Sequence, residues 1–89
     1  MRVRIRLDTV GSVNDFVRRL NSDGTTNKYI VESMTGKHRV DARSYLGMIY
    51  ASAEFGDHLY LINETEDGVF PAWVNEFRHP GEDGNFIHN

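Results

Sequence analysis

The sequence predicts one small α+β domain: a four-stranded antiparallel sheet with three helices on one face, in the order β-α-β-β-α-β-α. Three observations carry this reading. Apolar residues alternate with arginines at the N-terminus. Two later stretches repeat apolar residues at i, i+3, i+4 and i+7. A glycine turn separates two strand-forming stretches in the middle of the chain. Eighty-nine residues suffice for one hydrophobic core and not for two.

Val3, Ile5 and Leu7 alternate with Arg2, Arg4 and Arg6, the period of a half-buried strand with one cationic face. Val13, Phe16, Val17 and Leu20 form the first helical stripe, with Ser12 as the expected N-cap and Asp15 in the first turn. Asn21-Ser22-Asp23-Gly24 ends that helix with turn chemistry. Residues 28–33 centre on Tyr29-Ile30-Val31, a strand; Met34-Thr35-Gly36-Lys37 is a tight turn; residues 37–42 return as the second arm of a hairpin. Ser44 caps a second helix running to about Glu54, with Met48 and Ala51 as its core positions. Phe55-Gly56-Asp57 breaks it, and residues 58–64 make the fourth strand, with Leu59 and Leu61 on one face. Asp67-Gly68 is expected to open a third helix carrying Phe70, Trp73, Val74 and Phe77, with Pro71 in its first turn. Residues 1–77 then form the domain, and residues 78–89 a flexible tail.

The economical arrangement stacks all three helices on one sheet face and leaves the other to water, where Arg2, Arg4 and Arg6 can stand. Tyr60 is placed to stack on one of them. The stripe could also meet an anionic partner, but a solvated strand face explains it equally.

Composition narrows the function classes. A net charge of −3 argues against a general nucleic-acid binder. The absence of cysteine rules out disulfides and thiolate metal sites. No stretch is apolar enough to span a membrane, and an arginine at every second position excludes a signal-peptide core, so a cytoplasmic location is expected. His38, His58, His79 and His88 show no metal-binding spacing, and neither a metal nor a cofactor is expected. Ser44, His38 and Asp41 are close in sequence without nucleophile–base patterning, and Glu64, Glu66 and Asp67 are expected as a surface cluster, so no catalytic residue and no enzyme are expected.

The run Gly36-Lys37-His38-Arg39-Val40-Asp41-Ala42-Arg43-Ser44-Tyr45-Leu46-Gly47-Met48, followed by Phe55-Gly56-Asp57-His58-Leu59-Tyr60-Leu61, resembles the HPr family, the histidine phosphocarriers of the bacterial sugar phosphotransferase system. The resemblance covers roughly residues 2–77. It implies the family's open-faced β-sandwich. It also implies a catalytic histidine, arginine and proline entering the first helix. Counting back from Phe16, those positions hold Thr9, Gly11 and Ser12. A threonine phosphate ester is far more inert than a phosphoimidazole, so the phosphocarrier activity is not expected.

Ser44 falls where the resemblance places a regulatory phosphorylation site; a plain N-cap is the alternative, and the two are compatible. Tyr45, Leu46 and Ile49 fall on the family's apolar docking surface, unless some of them face the core. The resemblance implies partners among phosphotransferase-system enzymes, a serine kinase or a transcription regulator. The expected function is a non-catalytic interaction or regulatory domain using Thr9, Gly11, Ser12, Tyr45, Leu46 and Ile49. The alternative is a phosphocarrier or phosphoprotein modified on a hydroxyl such as that of Ser44.

Overall fold

A computed structural model describes residues 2–65 and 69–81. Strand β1 (Arg2–Ile5) leads to helix α1 (Val10–Asn21), the hairpin β2 (Tyr29–Glu32) and β3 (Arg39–Asp41), helix α2 (Tyr45–Glu54), strand β4 (Leu59–Asn63), and a 3₁₀ helix (Ala72–Phe77). The sheet order is β1-β4-β2-β3, with every neighbouring pair antiparallel.

The register follows from which side chains avoid water. Val3, Leu61, Val31 and Val40 lie in one row across the sheet. The next row is Arg4, Tyr60, Glu32 and Arg39 on the opposite face. A one-residue slip of β1 would bury its arginines and expose Val3 and Ile5. The inner row joins Val13, Phe16, Val17 and Leu20 of α1, Met48 and Ala51 of α2, and Val74 of the 3₁₀ helix in one core. All three helices therefore cover the same face. Phe16 meets Trp73 and Phe77 edge-on, with ring centroids 5.8 and 5.2 Å apart.

Gly36 and Gly56 turn the chain at φ of 78° and 60°, a region that costs glycine nothing and other residues strain. Asn63, buried at the end of β4, donates to the Val69 carbonyl at 2.6 Å and accepts from the Thr65 N–H at 2.9 Å. It fastens both ends of the connection leading to Phe70, which plugs the core beside Tyr29.

Three expectations change. The first helix begins at Val10, with Thr9 and not Ser12 as its N-cap. Ser12 stands at the third helical position and closes a capping box with Thr9. The third helix is a short 3₁₀ segment beginning only at Ala72, and the expected opening at Asp67-Gly68 lies outside the described residues. Pro71 is extended, with ψ 147°, and Arg78 is extended again at ψ 140°. Six residues between those two fixed ends take up the tighter helix. Finally, the body does not stop at Phe77. Arg78 bridges to Ile5, and the His79 N–H donates to the Arg4 carbonyl at 3.0 Å, so this strap covers the outer edge of β1. Residues 82–89 lie outside the described residues.

Candidate interaction surface

Helix α2 is built differently from α1. Helix α1 buries one stripe and carries Asp15, Arg18 and Arg19 elsewhere; Asp15 salt-bridges both arginines. The hydrogen bond from Arg18 holds the Asp15 carboxyl below the usual carboxylate range. In α2 no charged residue occurs from Tyr45 through Ala53. Its inward side is filled by Met48 and Ala51. Its outward side is nevertheless apolar: Leu46 is 79% exposed, Tyr50 50% and Tyr45 40%. A helix apolar all round is ordinarily covered on both sides. Ile49 is half-buried and packs against the core, so it belongs to both surfaces. Tyr50 meets Phe55 edge-on at 6.2 Å, and His38 lies 6.3 Å from Phe55, extending the patch toward the hairpin. Tyr50 is not among the residues the resemblance points to, although its spacing of four from Leu46 puts it one turn further along the same side.

Ser44 is the N-cap of α2, as expected, and its Oγ accepts from the Gly47 N–H at 3.1 Å. A Cβ at Gly47 would come within 3.2 Å of that oxygen, closer than an ordinary contact, so a larger residue there would press on the cap. Thr9, Gly11 and Ser12 form the first turn of α1. The Thr9 N–H donates to Ser12 Oγ, and the Ser12 N–H to Thr9 Oγ1, both at 3.0 Å. Their hydroxyls are engaged in holding the helix end.

The two groups do not form one face. The Asn21 side chain at the end of α1 donates to the Arg43 carbonyl at the start of α2. At the other end, Leu7 and Asp8 share a cleft with Ser52 and Gly56. The helices therefore run antiparallel, and a twelve-residue helix, about 18 Å long, separates Thr9 from Ser44. Ser44, Tyr45 and Leu46 sit together at one end, Ile49 lies midway, and Thr9, Gly11 and Ser12 stand at the other. A single surface holding all seven residues is not what this packing creates.

The arginine stripe is paired. Arg2 meets Glu32 at 3.1 Å and lies over the Tyr60 ring at 4.0 Å, the stacking expected of Tyr60. Arg4 meets Asp57 at 3.1 Å, and Arg6 meets Asp8 at 2.9 Å. Arg39 joins Glu32 to Glu64, and its hydrogen bond keeps the Glu64 carboxyl below its ordinary range. This is a neutralised, solvated sheet face.

Ser44, His38 and Asp41 face separate tasks: Asp41 accepts from the Arg43 N–H at 2.9 Å, Ser44 caps α2, and His38 packs beside Phe55. Among the described residues no three His, Cys, Asp or Glu side chains converge as metal ligands. No helix among them is long and apolar enough to cross a membrane. No family model matches the chain, and no curated protein or solved structure matches it either.

Proposed function

We propose that this chain is a non-catalytic protein-interaction and regulatory domain of the HPr-like type, related to the sugar phosphotransferase system and unable to carry phosphohistidine. The observation that supports it is the outward face of α2. Leu46, Tyr50 and Tyr45 reach into water on a helix with no charge before Glu54. The entry to α1 supplies hydroxyls already committed to a capping box, where a phosphocarrier needs an imidazole. Partners would be proteins, with phosphotransferase-system enzymes, a serine kinase and a transcription regulator as the candidates.

The test is affinity capture from cell extract with wild type and a Leu46→Glu/Tyr50→Ala variant. These positions suit it better than Ile49, which also packs against the core. A partner retained by wild type and lost by the variant is the expected outcome; equal recovery overturns the assignment of this face. Incubation with phosphoenolpyruvate and the system's first enzyme is expected to add no phosphate.

A second reading is phosphorylation of Ser44. It is favoured by the position of the Ser44 hydroxyl one residue before exposed Tyr45 and Leu46. A phosphate there would place negative charge beside the patch while meeting free helix N–H groups. Mass spectrometry after treatment with the serine kinase and ATP tests it, and an unmodified Ser44 peptide removes it.

A further inference from the structure

The two edges of the sheet are treated differently. At β1 the chain closes its own edge, with Arg78 bridged to Ile5 and the His79 N–H bonded to the Arg4 carbonyl. At the other edge β3 is open: Arg39 and Asp41 are exposed and Val40 is half-buried. The register fixes which backbone groups face outward there. The Ser33 N–H donates to the His38 carbonyl and the Ala42 N–H to the Tyr29 carbonyl, both at 2.9 Å. Val40, paired with Val31 between them, therefore also bonds toward β2. The N–H and C=O groups of Arg39 and Asp41 alternate with these and point away from the sheet. Among the described residues only the Asp41 carbonyl of this set has a partner, the Ser44 N–H at 3.0 Å, and a carbonyl can accept twice. Such a row of donors and acceptors is a template for another strand.

The edge is complementary to itself. Turned about Val40, an antiparallel copy of β3 sets Arg39 opposite Asp41 and Asp41 opposite Arg39. In that register each copy's outward N–H groups meet the other's outward carbonyls. The cation of one copy also stands across from the anion of the other, twice, on the solvated sheet face. Arg39 uses Nε and Nη2 on Glu32 and Glu64, and a guanidinium has further donors. Helix α2 packs over β3 and β2, on the other face. Its flank runs along this edge: a Cβ at Gly47 would lie 3.5 Å from the Asp41 carbonyl, and Tyr50, Phe55 and His38 continue it in ring contact. Paired strands are about 4.8 Å apart, so two helices seated over β2 and β3 of each copy come about 10 Å from one another, the ordinary distance of packed helices.

We propose that the occupant of this side is a second copy of the chain, joined β3 to β3 about a two-fold axis at Val40. The pairing merges two four-stranded sheets into one and brings Tyr50 of each α2 toward the other helix. It rests on the reading of α2 as an interaction face and names the partner of that face. A short strand with one helix flank is a small interface, so the association is weak.

The full ¹⁵N-labelled chain is followed by sedimentation and amide exchange from about 10 μM to about 1 mM, the range of weak association. The mass is expected to rise toward twice that of the monomer, and exchange to slow at the Arg39 and Asp41 N–H groups. Arg39→Pro removes an outward N–H without costing a bond to β2, and is expected to weaken association at least about tenfold. Should proline disturb β3, Asp41→Arg serves as the second variant, since it sets a cation opposite Arg39; the same direction of change is expected. A chain monomeric throughout the range, protection gained elsewhere than at β3, or dimerisation unchanged in both variants overturns the proposal. A monomer that still captures a different protein through Leu46 and Tyr50 overturns the second copy alone and leaves the interaction face standing.

Discussion

Arg43 shows how much one side chain can organise. It ties the end of α1 to the loop at residues 23–27 that leads into β2, through the carbonyls of Leu20, Thr25 and Asn27 and a buried carboxylate. Hydrogen bonds to a charged group contribute about 1.5–3 kcal/mol, and orphaned buried acceptors cost comparable amounts. Arg43→Ala is expected to lower stability by about 2–3 kcal/mol in urea denaturation. Arg43→Lys should recover only part of it, because an ammonium cannot span the same acceptors. Asp57 gives a second test. The hydrogen bond from His79, with Arg4 and Arg6 nearby, holds its carboxyl below the ordinary range. A depressed folded-state value stabilises the fold above the unfolded-state pKa of about 3.9, and that contribution fades as pH falls through the folded value. A carboxyl-carbon NMR titration should place the Asp57 midpoint below that of an ordinary aspartate. His79→Ala should return it toward normal.

At the scale of the element, the helix caps are the simplest quantities to check. Thr9→Ala and Ser44→Ala should each cost about 1 kcal/mol, while Ser44→Asp should keep most of the cap. The two sides of α2 should respond in opposite ways. Met48→Ala opens a cavity in the core and is expected to cost about 2–5 kcal/mol. Leu46→Glu/Tyr50→Ala is expected to stay within about 0.5 kcal/mol of wild type per site. Thermal unfolding of the three proteins compares them directly. A large loss in the outward double variant would mean that this side supports the fold and is not a surface kept for a partner. The period-two and i, i+3, i+4 patterns made β1, α1 and β4 legible because each has one wet and one dry side. Helix α2 has less contrast: the sequence points to Met48 and Ala51 as its core positions, and both are buried, but spacing left open whether Tyr45, Leu46 and Ile49 also face inward. Only the packing separates exposed Leu46 from half-buried Ile49.

For the whole molecule, closure of the sheet edge by residues 78–79 is the feature that sets the boundary. A chain ending at Phe77 is expected to be about 1–2 kcal/mol less stable than one ending at Gly81, since it loses the Arg78 bridge to Ile5 and the His79 bond to Arg4. Hydrogen exchange should also quicken at the Arg6 N–H, which bonds the Phe77 carbonyl at the root of the strap. The polar Arg-His-Pro-Gly sequence offers no periodicity by which this edge contact could be foreseen; it exists because β1 has an open side. The sequence by itself determined the α+β class, the order of elements, the core faces of β1, α1 and β4, the glycine turns and the cap at Ser44. Those properties are written in contacts between near neighbours and in the alternation of polar and apolar residues. Only the tertiary structure decided that Thr9 and Ser44 stand at opposite ends of an antiparallel helix pair. It alone paired the arginine stripe, gathered Asp23, Arg43 and Trp73 around one end, and brought His79 to Asp57. Each of these depends on where distant segments pack, and spacing along a chain carries no record of that.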